Sequence, residues 1–330
     1  MPSCPETRSR IDANGGLRTH DFAPNPHVPC TGEQREWFSP MMQENAAGFE
    51  PELEQACCPM CESAKSEPTP YGKAPFALRR CSDCRLWFLS PRLPEPEMMR
   101  YYAGQGYFQS EGQGIGYSGY EEQADALRQT FALLMRTLDR AGAARGDLLE
   151  VGAGLGYLLS EAGDYFDTVS GVEMSAGARA KAAQVSGATL YESLDDLDPS
   201  QTFDCIVATH VIEHVYDPVG FATRLKQHLA PGGVLVLAAP HMGSVFRKAM
   251  GNRWPSFKYP EHVAFYDEDT LRSLFERAGF GQVTRLPYPH AFPLSLILNK
   301  LGLPAPRWTA RFNLKLPATT VCYMGRRGVS

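Results

Sequence analysis

Residues 148–159 read LLEVGAGLGYLL, and residues 168–175 read TVSGVEMS. An apolar run leads into glycines at alternate positions, Gly152, Gly154 and Gly156. Glycine lets a backbone turn sharply and approach a ligand where a Cβ would clash. A helix behind such a loop points its free N–H groups at the ligand, which suits a carboxylate. A second apolar strand then delivers Glu173 at its carboxyl end, where open α/β sheets bind ligands. A carboxylate there can accept hydrogen bonds from both hydroxyls of a ribose. The arrangement is a grip for an adenosine-containing cofactor.

Working outward, strands and helices alternate. Strands are expected at 147–151, 168–173, 188–191, 203–209 and 233–239, and helices at 155–165, 175–185 and 217–229. Asp217 and Pro218 open the last of these, and Pro231-Gly232-Gly233 turns the chain after it. A helix over 268–278 is capped by Asp267 and closed by Gly279. Two final strands, near 281–286 and 319–325, have no crossover of the same kind between them. The alternation predicts a mostly parallel, doubly wound α/β sheet across 147–330.

The N-terminal part divides into three. Residues 1–50 carry no apolar period and are expected to be mostly disordered, with Trp37 and Phe38 as docking aromatics. Residues 51–92 hold Cys58-x-x-Cys61 and Cys81-x-x-Cys84, separated by 19 residues. That spacing fits a four-thiolate zinc site, with Cys58 preferred to Cys57; buried or redox cysteines are the other reading. With four Cys ligands no coordination position is open, so the metal's role is structural or serves substrate binding through the surface it presents. A ribbon of roughly 40 residues has little core, so the metal supplies folding energy. Residues 93–146 form a helical lid or linker. It contains an amphipathic helix over 121–140 and three tyrosines, Tyr107, Tyr117 and Tyr120, as substrate-pocket candidates.

The chain has 330 residues, 43% of them apolar, and a net charge of −5. There is no overall electrostatic case for nucleic acid or an anionic membrane as partner. No apolar run approaches the roughly 20 residues that span a bilayer. The start, MPSCPETRSR, has no signal-peptide core. A cytoplasmic protein whose nine cysteines are not disulfides is the expectation.

The glycine loop is GxGxG preceded by Glu150, not the GxGxxG of dinucleotide folds. Here the chain resembles the class I S-adenosylmethionine-dependent methyltransferases over roughly residues 100–330. Phe203-Asp204, EHVYDP at 213–218, LAPGG at 229–233 and RAGF at 277–280 carry the resemblance further. It implies a Rossmann-like seven-stranded sheet with S-adenosylmethionine as cofactor. Glu150, Gly152, Gly154 and Gly156 would form the cofactor loop, with Gly152 and Gly154 against the methionine end. Glu173 would bind the ribose, Met174 would pack on the adenine, and Ser193 and Leu194 would edge it. Thr209 and His210 would end the fourth strand under the sulfonium.

His210 to His214, HVIEH, has three readings. It matches the H-x-x-E-H of one metallopeptidase class, but that match needs a helix and His210 ends a strand. It resembles quinone-pathway and RNA-end methyltransferases in which E-x-x-E-H holds a metal, with His210 where they have Glu. In the third reading Glu213 and His214 stabilise the loop and His210 lines the pocket as a proton acceptor. This third reading is preferred.

The segment 240–266 is too long for an ordinary connection and is read as a substrate loop. It holds His241, Trp254, Tyr259, Glu261 and His262. Tyr259-Pro260-Glu261-His262 resembles the Y-x-E-H of zinc-containing deoxysugar C-methyltransferases, whose His acts as base. The favoured base is therefore His262, with Tyr259 and His210 in support, and the other reading of His262 is a histidine bonded to backbone. The resemblance implies methyl transfer to an O, N or acidic C nucleophile of a small molecule, in the manner of sugar or secondary-metabolite enzymes. Two rivals stand beside it. A zinc ribbon also precedes a ribosomal-RNA guanine methyltransferase, which would make RNA the partner, although residues 51–92 carry six Lys/Arg against five Asp/Glu. The other rival is a non-catalytic protein that kept the cofactor fold.

Overall fold

The computed structural model describes residues 8–11, 17–18, 52–104, 123–300 and 303–329. In chain order the first elements are β1 (Arg8–Ile11), β2 (Leu17–Arg18), β3 (Glu52–Glu54), β4 (Ser66–Lys73), β5 (Phe76–Cys81) and β6 (Trp87–Leu89). Helices α1 (Glu95–Gly104) and α2 (Ala124–Arg140) follow. The doubly wound region contains β7 (Asp147–Val151), α3 (Tyr157–Ala162), β8 (Thr168–Val172), α4 (Ala176–Ser186), β9 (Thr189–Tyr191), β10 (Phe203–Thr209), α5 (Pro218–Gln227) and β11 (Leu229–Pro240). The remainder is α6 (Val245–Met250), β12 (Ala264–Phe265), α7 (Glu268–Arg277), β13 (Gln282–Arg285), β14 (His290–Pro293), α8 (Leu294–Lys300), β15 (Asn313–Leu316) and β16 (Thr320–Arg326).

The main sheet has seven strands in the order β13-β16-β11-β10-β7-β8-β9. All pairings from β9 to β11 are parallel, and β16 runs antiparallel to both β11 and β13. The central strands are apolar almost without break because helices cover both faces. Along β10, Ile206 and Ala208 enter one buried cluster while Cys205 and Val207 enter the other. Asp217 caps α5 through the Gly220 N–H, and Asp267 caps α7 through the Thr270 N–H. Strand β11 begins earlier than expected. It runs through Pro231-Gly232-Gly233, with Gly232 at φ +77° and a register shift opposite Phe203–Cys205.

Helix α2 packs Leu134, Met135 and Leu138 with Leu148, Leu158 and Leu159, as a layer of the sheet's own core. The cysteine segment is joined to the rest of the fold. Its sheet has the order β12-β6-β5-β4, and β12 comes from the 240–266 loop. Cys58, Cys81, Leu86 and Phe88 share one buried cluster with Ile212, Ala264 and Tyr266. Cys57 is disulfide-bonded, against the all-thiol expectation.

Within residues 1–50, Arg8–Ile11 and Leu17–Arg18 are strands paired with each other, and β1 also pairs with β3. Trp37, Phe38, Tyr107, Tyr117 and Tyr120 lie outside the described residues. The stretch between β13 and β16, for which no element was expected, holds the β14–β15 pair and α8.

Candidate active site

The cofactor side is built by the turn after β7 and the end of β8. Gly152, Gly154 and Gly156 take φ of +79°, +53° and +78°. A Cβ on Gly156 would stand 2.8 Å from the Ala182 backbone, so loop and α4 meet at backbone distance there. Glu173 is buried, and its carboxylate accepts the Gly154 N–H at 2.8 Å and the Ser175 N–H at 2.9 Å. Arg179 donates to the backbone carbonyls of Glu173 and Met174 and pairs with Glu192, which fixes the strand end. Met174 is 52% exposed beside this carboxylate. An apolar side chain left open there is a platform for a flat ring.

Glu150 lies fully buried beneath the loop. Burial first, and then the neighbouring Glu173 charge, raise its pKa well above the carboxylate range. Ser193 and Leu194 open a 3₁₀ turn, where the Ser193 side chain accepts from the Asp195 N–H. Asp195 is ion-paired with Arg224.

The opposite wall is a histidine cluster. Thr209 ends β10 as a buried residue. His210 follows at φ +57°, a conformation uncommon outside glycine and worth attention at a strand end. Its Nδ1 stands 3.4 Å from Glu213 Oε1. Its Nε2 is buried and without a hydrogen-bond partner. Its ring lies 5.8 Å from that of His290 and 6.4 Å from that of Tyr288.

Glu213 is buried in a single 3₁₀ turn, and neither carboxylate oxygen has a hydrogen-bond partner. Burial alone would raise its pKa; contact with His210, with help from His262 and His214, outweighs burial and holds it at about 2. The His214 and His262 rings meet edge-on at 4.7 Å. Burial lowers the pKa of both, for His262 well below the histidine range. Tyr102 Oη stands 3.3 Å from His214 Nδ1. Glu213, His214 and His262 each present a ligand atom, and these atoms all lie within 4.8 Å of one another.

The cysteine segment reaches this wall directly. The Leu89 N–H donates to the Val263 carbonyl, and the Val263 N–H donates to the Glu213 carbonyl. The four sulfurs of Cys58, Cys61, Cys81 and Cys84 also lie within 4.8 Å of one another, with Cys58–Cys84 at 3.3 Å and Cys61–Cys81 at 3.5 Å. Four converging thiols, two of them buried, suit a tetrahedral thiolate site for zinc.

The sequence matches the model of a family described as a methyltransferase domain over residues 120–284, half of the chain. The chain belongs to the class I S-adenosylmethionine-dependent methyltransferases. It is 29% identical over 139 residues to a ubiquinone biosynthesis O-methyltransferase of Bradyrhizobium diazoefficiens, covering 40% of this chain and 50% of that one. It is 31% identical over 180 residues to an uncharacterized methyltransferase of Geobacillus kaustophilus, covering 49% of this chain and 81% of that one. The chain thus spans about half the length of the first of these curated relatives. The magnesium protoporphyrin IX methyltransferase of Synechocystis PCC 6803 superposes with a TM-score of 0.46 at 13% identity, over 71% of this chain and all of that one.

Within this methyltransferase, the residues expected to serve the acceptor are distributed unevenly. His210 and His262 come together around Glu213. Tyr259 is half-buried and stacks on Phe257 at 5.8 Å, with its hydroxyl unpartnered. Glu261 is half-buried; its carboxylate raises the Tyr101 pKa, after burial, to about 12, and its backbone accepts a hydrogen bond from His214. Trp254 is buried against Leu78, Met242 and Phe265, in the joint between ribbon and loop. His241 is buried at the end of β11, with Nε2 3.9 Å from Glu268.

Sequence reasoning set Tyr102 aside as a pocket candidate and missed Tyr288 and His290. The signal for the last two was PYPHAF, a Pro-bracketed aromatic run with no helical or strand period. The reading of Glu213 and His214 as loop stabilisers understates them, because only the fold shows His262 arriving beside them.

Proposed function

We propose that this methyltransferase transfers a methyl group to a hydroxyl oxygen of a small molecule, with His210 as proton acceptor. The observation that carries the reading is the orphaned Nε2 of His210 at the carboxyl edge of the sheet. A buried ring nitrogen without a partner is uncommon, and a substrate hydroxyl would satisfy it. S-adenosylmethionine supplies, when bound, a methyl group on a sulfonium whose leaving group is a neutral thioether. Little electrophilic help is then needed, and the chain's task is alignment and removal of a proton.

Glu173, the three glycines and Met174 suit the cofactor's ribose, backbone approach and adenine. Glu213, ionised and facing His210 Nδ1, favours the tautomer that leaves Nε2 free. It also stabilises the imidazolium formed when Nε2 takes the hydroxyl proton. The similarity to O-methyltransferases of ubiquinone biosynthesis supports an oxygen acceptor.

This reading moves the base from His262 to His210. His210, with a side chain about one-third exposed around its buried Nε2, lies nearer the surface than His262, which is nearly inaccessible. His262 becomes a positioning group behind Glu213.

A second reading is favoured by one observation, the pair of unpartnered Glu213 oxygens among His214 and His262. These residues suit a divalent cation of imidazole preference, which would polarise a substrate oxygen.

The test is turnover with a catechol or other hydroxylated acceptor and S-adenosylmethionine, read as S-adenosylhomocysteine formed. His210→Gln should lower kcat by roughly 100-fold or more, in the range expected for loss of a general base. Unchanged kcat in His210→Gln would remove His210 as base. Activity lost to a chelator and restored by Zn²⁺ or Mn²⁺, with His214→Ala insensitive to metal, would favour the cation.

A further inference from the structure

The excursion between β13 and β16 takes no place in the main sheet and turns apolar side chains outward. Leu303, Trp308, Phe312 and Leu314 are all large exposed hydrophobics, with Trp308 at 60% and Phe312 at 56%. The Trp308 and Phe312 rings meet edge-on at 6.0 Å. Helix α8 reads LSLILNK, and none of its leucines or its isoleucine is buried. Single exposed apolar residues are ordinary, whereas a contiguous group of them marks a contact surface.

The charge on the same segment has one sign. From Leu286 to Thr319 the sequence holds four Lys/Arg and no Asp or Glu, in a chain whose net charge is −5. Arg307 and Arg311 sit in the same 3₁₀ turn as Trp308, and Lys315 follows on β15. All three cations are exposed.

We propose that this face docks on an anionic lipid surface. Exposed aromatic rings interleaved with unopposed cations suit the boundary of a bilayer. There Trp and Phe enter the acyl edge while Arg and Lys meet the headgroups. A two-fold pairing of two copies through this face would bring its cations onto the same cation-bearing surface, with no acidic residue of the excursion to separate them. Charge complementarity therefore favours lipid over a second copy. The contact would be peripheral, since no described helix is long and apolar enough to cross a membrane. The chain's negative net charge hides this local reversal. The same strand pair begins at His290, whose ring lies 5.8 Å from that of His210.

The test is co-sedimentation of the full-length protein with vesicles of phosphatidylcholine alone or with phosphatidylglycerol added. Binding is expected to the phosphatidylglycerol vesicles and to weaken with salt. Arg307→Gln/Arg311→Gln/Lys315→Gln should reduce it by about fivefold per cation removed. Trp308→Ala/Phe312→Ala should reduce it on the phosphatidylglycerol vesicles while S-adenosylhomocysteine binding stays as in the wild type. No sedimentation with either vesicle, or binding that both variants leave unchanged, overturns the proposal. Self-association in sedimentation velocity that Trp308→Ala/Phe312→Ala abolishes, without any vesicle binding, assigns the face to a second copy and also overturns it.

Discussion

Replacing Glu173 by alanine tests the cofactor side most directly. Its carboxylate accepts two backbone N–H groups, from Gly154 and Ser175 at 2.8 and 2.9 Å. Hydrogen bonds to a charged acceptor contribute roughly 1.5–3 kcal/mol each. Loss of even one such bond to the cofactor ribose should raise the dissociation constant for S-adenosylhomocysteine by about 10- to 150-fold. The strand end itself should hold, because Arg179 grips the Glu173 and Met174 carbonyls independently of the carboxylate.

Glutamine at 173 separates charge from volume. It offers one oxygen where two donors require two, so its amide NH₂ must face a backbone N–H. Glu173→Gln should therefore be no more stable than Glu173→Ala, both falling roughly 1–3 kcal/mol below the wild type. Calorimetric titration of S-adenosylhomocysteine, paired with urea unfolding to establish folded protein, reads both quantities. Affinity within threefold of the wild type in both folded variants would refute the assignment.

Three further outcomes are expected. Gly156→Ala combines a left-handed backbone with a Cβ at 2.8 Å from the Ala182 backbone, and should cost roughly 2–5 kcal/mol in urea unfolding. Gly187→Ala, also left-handed but with open space around it, should cost only about 1–2 kcal/mol, and equal costs would contradict the packing argument. Metal analysis of protein purified without chelator should find about one zinc per chain, lost in Cys81→Ser/Cys84→Ser; a wild-type content near zero rejects the thiolate site. Burial, with the nearby His210 charge, lowers the His290 pKa to about 3. A depressed folded value means this stability is present above the unfolded value near 6.5 and is lost as pH falls toward 3. At pH 5.5 the wild type should have lost about 1 kcal/mol that His290→Phe retains, and parallel pH profiles of the two in urea unfolding would dismiss the assignment.

The doubly wound region was legible because its signals are local. Gly152 to Gly156, the caps Asp217 and Asp267, and the apolar runs of β10 and β11 each identify themselves within a few residues. The cysteine spacing was legible for the same reason. What escaped was long-range. Nothing near Glu213 says that His262 will arrive beside it, since strand pairing across more than 170 residues brings Ala264 to Phe88. The β14–β15 pair escaped because four-residue strands broken by proline carry too little alternation to register. His290 and Tyr288 were hidden with it.

The pairing of β6 with β12 also bears on how the chain is made. The cysteines and their strands leave the ribosome early, yet their sheet lacks its edge partner until residues 264 and 265 have been synthesised. Until then β6 presents open backbone groups, the kind of edge that invites pairing with other chains. Thiolates gathered early would hold that edge compact through the wait. Chains stopped before β12 should for this reason be recovered as aggregates more readily than chains stopped after it.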